Sequence, residues 1–245
     1  YALFHPRMPN EPLAFVEVAL VRGLAGNIQA VLDESTPAQD VNGQDTAIFY
    51  SITNTQRGLK GVSFGEYLIK QVVDLLSREL PQLKTFATRS PVPGFAAWLA
   101  EAEPQDLAPA FSEDERTLLC RWAGRDRLTD ALAALKERPE WRDDPALSER
   151  LKGPLMRLCA RYLQTTRDDG RPIDSVARFH LKNGARLERI NWLANAAPNG
   201  LRESLGLMVN YRYVREEIER NHEAYMEKGR MALSSEVKAL LKAQR

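Results

Sequence analysis

Histidine and cysteine are scarce in this chain, with three and two among 245 residues. Cys120 and Cys159 fall in separate helical patterns, outside any CxxC or His-rich cluster, which argues against a zinc site or a disulfide framework. Both are expected as buried thiols in a reducing compartment. An excess of either charge is also missing. Lys plus Arg number 34 against 33 Asp plus Glu, so no overall field draws the chain to nucleic acid or to an anionic membrane. A small molecule or another protein is the expected partner. No apolar run reaches the ~20 residues that span a bilayer, and no charged-then-apolar leader opens the chain. A cytoplasmic globule with no membrane contact is therefore expected. The first residues, YALFHPRMP, lack an initiator methionine, which suggests a fragment or processed product.

What is present suffices for a sizeable core: 44% of residues are hydrophobic, enough for one large domain or two small ones. Leu13–Leu20 (LAFVEVAL), Thr46–Ile52 (TAIFYSI) and Lys84–Ser90 (KTFATRS) read as strands. Asn27–Glu34 reads as a helix, Thr36–Asp45 as a polar loop. Phe64–Leu80 carries the stripe Tyr67, Leu68, Val72, Leu75, Leu76 and Leu80 of an amphipathic helix. From about Gly94 to Thr166 every periodic segment is helical. Ala185–Ala194 and Leu205–Val214 return to strand patterning, and Glu216–Lys242 is a charged amphipathic tail. Strands and helices on either side of an all-helical block imply an α/β or α+β fold, a mixed central sheet flanked by helices with a helical insertion at about 95–170.

Two stretches carry chemistry. After the strand Thr46–Ile52, glycines 58, 61 and 65 let the backbone approach a ligand, and Arg57 and Lys60 offer cations beside the N-terminus of the next helix, a fit for a pyrophosphate. The loop is neither a Walker A nor a GxGxxG sequence, so a plain connecting turn is an equal reading. The second stretch, FHLKNGA (Phe179–Ala185), places His180 on the last turn of a helix that stops at Asn183–Gly184.

The order strand, basic glycine-containing loop, helix, strand resembles the way GNAT-type acyltransferases hold coenzyme A, and His180 stands where many of them have a tyrosine that acts as general acid. An imidazole exchanges protons near neutral pH, a phenol near 10, so the replacement points to different chemistry on the same scaffold. HPRMPNEPL (5–13), AIFYSI (47–52), SPVPGF (90–95), PLMRLCARYL (154–163), FHLKNGA (179–185), RINW (189–192) and GLMVNYRY (206–213), in this order, resemble the malonyl-CoA decarboxylase family along essentially the whole chain.

That resemblance implies the family's C-terminal catalytic half, with its N-terminal helical domain absent from this chain, and decarboxylation of malonyl-CoA to acetyl-CoA and CO2. It implies Ser90 and His180 as the catalytic pair, and Lys60, Gly61, Val62, Ser63, Phe64, Gly65 and Glu66 as the substrate-binding loop. Ser63 replaces an acidic residue of some relatives, so no carboxylate role carries over to it. A malonyl thioester holds its own electron sink in the carbonyl, so no cofactor and no metal are expected. His180 is the natural proton donor. Ser90 is either the proton acceptor or the group that positions the malonyl carboxylate. Tyr213 is a candidate supporting residue, His5 a structural one and His222 a solvated one. A homo-oligomer is expected of the full-length protein. A CoA-dependent N-acyltransferase, a catalytically silent CoA-thioester-binding module and a Ser–His nucleophilic hydrolase are the rival readings. The last lacks a G-x-S-x-G elbow and an orienting acid.

Overall fold

The computed structural model describes residues 1–24, 40–59, 62 and 64–242, the Glu66 side chain excepted. The expected helix Asn27–Glu34, most of the loop after it, and Lys60, Gly61 and Ser63 lie outside the described residues. Strands β1 (Ala2–His5) and β2 (Met8–Val21) form a hairpin, and β2 runs antiparallel to β3 (Thr46–Asn54). Helix α1 (Phe64–Glu79) then carries the chain back, so that β4 (Thr85–Thr88) lies parallel to β3. β5 (Ser90–Pro91) and β4 are one strand line interrupted at Arg89. Both pair antiparallel with β7 (Met208–Arg212), through Ala87↔Arg212 and Ser90↔Val209, and β7 also pairs with β6 (Arg186–Asn191). The sheet is mixed, as expected.

Two features open it. At Tyr50 the β2–β3 register slips, Glu17 facing Ser51 while Val18 faces Phe49. Such a bulge leaves one residue outside the ladder and bends its strand. The β3–β4 register ends at Phe49↔Thr88, and a last backbone bond joins Arg89 N–H to the Phe49 carbonyl at 2.9 Å. Past that point β3 stays with β2 while β5 runs beside β7, and a cleft opens between them.

The insertion runs from α2 (Phe95–Glu101) through α3 (Pro104–Leu107), α4 (Glu113–Ala123) and α5 (Leu128–Glu137) to α6 (Pro145–Gln164). Ser112 and Glu115 form a reciprocal capping box at the start of α4, and Gly124 ends it in the left-handed region. Helix α6 buries Leu147, Leu151, Leu155, Leu158 and Tyr162 at helical spacing. The Tyr162 hydroxyl donates to Asp174 Oδ2 at 3.1 Å, and the other oxygen of Asp174 accepts from Ala177 N–H at 2.7 Å, capping α7 (Ser175–Lys182). The insertion thereby holds the helix that carries His180.

Several expectations are corrected. β2 starts at Met8 rather than Leu13, because Pro9 and Pro12 sit where only the short edge strand β1 pairs with it, a position that tolerates proline. Leu205 and Gly206 have positive φ of 52° and 82° and form a turn, so the last strand begins at Met208. They come after α8 (Pro198–Ser204), a helix hidden in a segment whose Pro, Asn and Gly read as a turn. The tail is two helices, α9 (Ile218–Lys228) and α10 (Ser235–Lys242), divided after Gly229. Cys159 is buried, whereas Cys120 is half-buried; both are free thiols.

Gly184 closes α7 with φ +78°, and an added Cβ would meet the Ile218 carbonyl of α9. A left-handed backbone alone costs an L residue about 1–2 kcal/mol. Gly184→Ala is therefore expected to lower unfolding stability by at least that much in urea titration, and a neutral substitution would contradict the packing described.

Candidate active site

Ser90 and His180 are 90 residues apart in the chain and in contact in the fold. Ser90 heads β5 at the opening of the cleft, and α7 projects His180 across it. Ser90 Oγ lies 3.0 Å from His180 Nε2, and His180 Nδ1 lies 2.9 Å from the Tyr213 hydroxyl. Behind Ser90, the Thr88 hydroxyl is 2.9 Å away and accepts from Tyr211 N–H at 3.3 Å. Thr88 and Ser90 share a face because strand side chains alternate. Tyr211 in β7 and Tyr213 just past its end share one face for the same reason, the Tyr213 N–H still bonding the Phe86 carbonyl of β4. Tyr211 stacks on the imidazole with ring centroids 4.5 Å apart, and Phe179 meets it edge-on at 5.0 Å.

Ser90 and His180 are only 4% and 3% exposed. Burial penalises the imidazolium, and the His180 pKa is pulled down to about 3. His180 therefore rests neutral, one nitrogen carrying hydrogen and the other accepting it. Tyr213 supplies the orienting contact for which the sequence offered no acid.

The cleft beside the pair measures about 280 Å³, with walls that include Phe49, Tyr50, Ile52, Arg89, Ser175 and Phe179. Of the expected substrate loop, Gly65 is buried, and a Cβ added there would lie 3.1 Å from Ile52 and 3.4 Å from Phe179. Glycine thus lets the start of α1 close against two cleft walls. Phe64 is half-buried and Val62 exposed. Lys60, Gly61, Ser63 and the Glu66 side chain fall outside the described residues. His5 is exposed and caps its own turn by accepting from Arg7 N–H. His222 is half-buried at the surface, its Nδ1 donating to the Lys182 carbonyl at 2.5 Å. Thr88, Tyr211, Tyr50 and Arg89 were not anticipated as site residues. The alternation through Thr88 and Ser90 marked the first, whereas nothing in the sequence marked the bulge at Tyr50.

Among the described residues no helix is long and apolar enough to cross a membrane, and no group of three or more His, Cys, Asp and Glu side chains forms a metal cluster.

A mixed sheet that parts over a buried, hydrogen-bonded Ser–His–Tyr chain defines the class: an α/β protein with a linked set of polar side chains at a strand divergence. A family model described as Malonyl-CoA decarboxylase C-terminal domain matches residues 1–245. Mitochondrial malonyl-CoA decarboxylase of Anser anser anser is 40% identical over 233 residues, 92% of this chain and 46% of that protein. The Rattus norvegicus protein of the same name is 38% identical, covering 98% of this chain and 50% of its own length. Crystal structures of malonyl-CoA decarboxylase from Rhodopseudomonas palustris and Agrobacterium vitis superpose with TM-scores of 0.82 and 0.83 at 44% and 46% identity. Each covers 98% of this chain, which in turn spans 52% and 56% of those chains. The chain belongs to the malonyl-CoA decarboxylase family, and it spans about half the length of the relatives it matches.

The buried neutral imidazole has a pH signature. An unfolded histidine binds a proton near pH 6.5, the folded His180 only near 3. Between those values the unfolded state holds the extra proton, so this contribution to stability is complete above about pH 6.5 and falls as pH drops toward 3. NMR of the imidazole should show a neutral ring at pH 5; a ring that titrates between pH 6 and 7 would contradict the burial.

Proposed function

We propose that this chain is the catalytic half of a malonyl-CoA decarboxylase, which converts malonyl-CoA to acetyl-CoA and CO2. The observation that carries the reading is the hydrogen-bonded chain Ser90–His180–Tyr213, buried where β3 and β4 part. The C–CO2 bond breaks, its electron pair enters the thioester carbonyl, and the α-carbon of the resulting enolate takes up one proton. The carbonyl is the electron sink, so the reaction draws on no cofactor or metal.

Three tasks fall to the protein: orienting the carboxylate out of the carbonyl plane, stabilising the enolate oxygen, and delivering the proton. With the Tyr213 hydroxyl donating to Nδ1, His180 carries its hydrogen on Nε2, facing Ser90. In that tautomer Ser90 accepts from the imidazole, and its own hydroxyl hydrogen is available to the substrate. Proton delivery then runs from Nε2 of His180 to the α-carbon, directly or through Ser90, while the Tyr213 hydroxyl hydrogen passes to Nδ1 and a solvent proton restores the phenol, so that the imidazole stays neutral. This arrangement favours Ser90 as a relay and positioning group over Ser90 as a free base. The bulged Tyr50 backbone, outside the ladder and lining the cleft, is our candidate donor to the enolate oxygen.

The CoA moiety is assigned to the loop 60–66 and the start of α1, where Gly65 packs against cleft walls. A homo-oligomer of the full-length protein remains part of the proposal. Cytosolic residence fits the free thiols, while the goose and rat relatives are named mitochondrial.

Incubation of the full-length protein with malonyl-CoA should yield acetyl-CoA and CO2. His180→Ala and Ser90→Ala should each lower kcat by about 10²–10⁴-fold with intact circular dichroism. Malonyl-CoA returned unchanged by the wild type, or turnover retained in both variants, would overturn the proposal.

A further inference from the structure

Apart from the cleft at Ser90, the helical insertion and α8 enclose a larger hollow, about 670 Å³ against about 280 Å³. It lies where α2, α5 and α8 come together, and it shares no lining residue with the cleft. Side chains three, four and seven residues apart share a helix face, and the walls are built that way. Helix α2 presents Ala96, Leu99 and Ala100, while Phe95 and Trp98 turn toward Tyr162. Helix α8 presents Pro198 and Leu201, and Leu205, held in the left-handed region just past its end, adds a third apolar position. Helix α5 contributes Leu132 and Ala133. The four leucines are buried, whereas Ala100 and Ala133 are exposed and too short to fill the space between the helices.

This lining narrows the chemistry of an occupant. None of the described lining residues is aromatic, so a nucleobase or other flat ring finds no face to stack on. The charged residues are Lys136 of α5, Arg142 of the turn after it and Arg202 of α8, against one carboxylate, Glu137. Arg142 already faces the Asp143 carboxylate at 3.4 Å, whereas Arg202 donates to the neutral side chain of Asn199. Lys136 and Arg202 are both exposed, and long cationic side chains lay aliphatic stems along an apolar wall with the charge in water. Two walls therefore bring a cation to the opening of an aliphatic hollow, which suits an apolar chain that ends in one negative charge.

Size separates a small ligand from a protein partner. A stable protein interface covers about 20–30 residues a side, and thirteen line this hollow. Its volume falls within the range of about 300–1,000 Å³ common to small-molecule sites.

We propose that the hollow between α2, α5 and α8 is a binding site for a linear aliphatic carboxylate, with its chain along the Ala–Leu walls and its carboxylate at Lys136 and Arg202. The site is separate from the Ser90 cleft, so this ligand and a CoA thioester bind together.

Calorimetric titration of the full-length protein with dodecanoate, kept monomeric, should show one equivalent bound. Affinity should fall about fourfold for each methylene removed toward octanoate, as for an apolar chain leaving water. Lys136→Glu combined with Arg202→Glu should weaken binding by about tenfold or more, the size of a lost hydrogen bond to a charged group. Ala133→Trp, at an exposed helix position, should fill the hollow and abolish binding without lowering the melting temperature. Ala100→Trp, on α2, is the second filling variant if Ala133→Trp does lower it. Saturating acetyl-CoA should leave the dodecanoate affinity within about twofold. Three results overturn the proposal: no binding, adsorption of many equivalents that neither tryptophan changes, or displacement by acetyl-CoA, which would put the chain in the Ser90 cleft. A protein that binds dodecanoate as described and returns malonyl-CoA unchanged would contradict the decarboxylation reading and leave this site standing.

Discussion

The backbone bond from Arg89 N–H to the Phe49 carbonyl marks the last point at which β3 and β4 belong to one ladder. The chemistry of the site depends on the divergence of the strands beyond that bond. The bulge at Tyr50 turns β3 outward with β2, β7 draws Ser90 and Pro91 the other way, and a cleft opens where the two strand lines part. Parting strands inside a sheet forgoes ladder hydrogen bonds. The structure tolerates the gap because each flank is paired elsewhere, β3 on its β2 side and β5 on its β7 side.

Around this opening the chain places a neutral, nearly sealed imidazole. His180 is fixed by three constraints that act on different atoms: Ser90 at Nε2, the Tyr213 hydroxyl at Nδ1, and the Tyr211 ring against its face. A charged imidazolium would be costly here, which suits the proposed decarboxylation, where a proton is called for only when a strongly basic carbon appears. The helical insertion serves the same end through the buried Tyr162–Asp174 contact at the head of α7. Gly94, whose added Cβ would collide with the Tyr162 hydroxyl, keeps that junction close.

Much of the architecture was legible because it rests on local pattern. The alternation of AIFYSI, the stripe of α1 and the helical run of the insertion arise from periodicities of 2 and 3.6 residues. The Asn183–Gly184 helix stop was equally plain. Element ends were less so, since Met8–Pro12 joins β2 through pairing with an edge strand and α8 hides in turn-like composition. For the site, Ser90 and His180 came from motif resemblance, and the fold brings them together. Tyr213 was named as a supporting residue; only the fold shows that it and Tyr211 converge on one ring. The bulge at Tyr50 and the Arg189–Asn191–Asn210 contacts depend on cross-strand register, which no single segment encodes.

The central claim is that a malonyl thioester reacts at the parted strands. The most direct measurement is a crystal structure of the full-length His180→Ala protein holding unreacted malonyl-CoA. The account predicts the thioester in the Phe49–Ser90–Phe179 cleft, with Ser90 Oγ in hydrogen-bond reach, about 3 Å, of the malonyl group and the pantetheine leaving past Gly65. An acyl group outside that cleft, with Ser90 facing only Thr88, would contradict it.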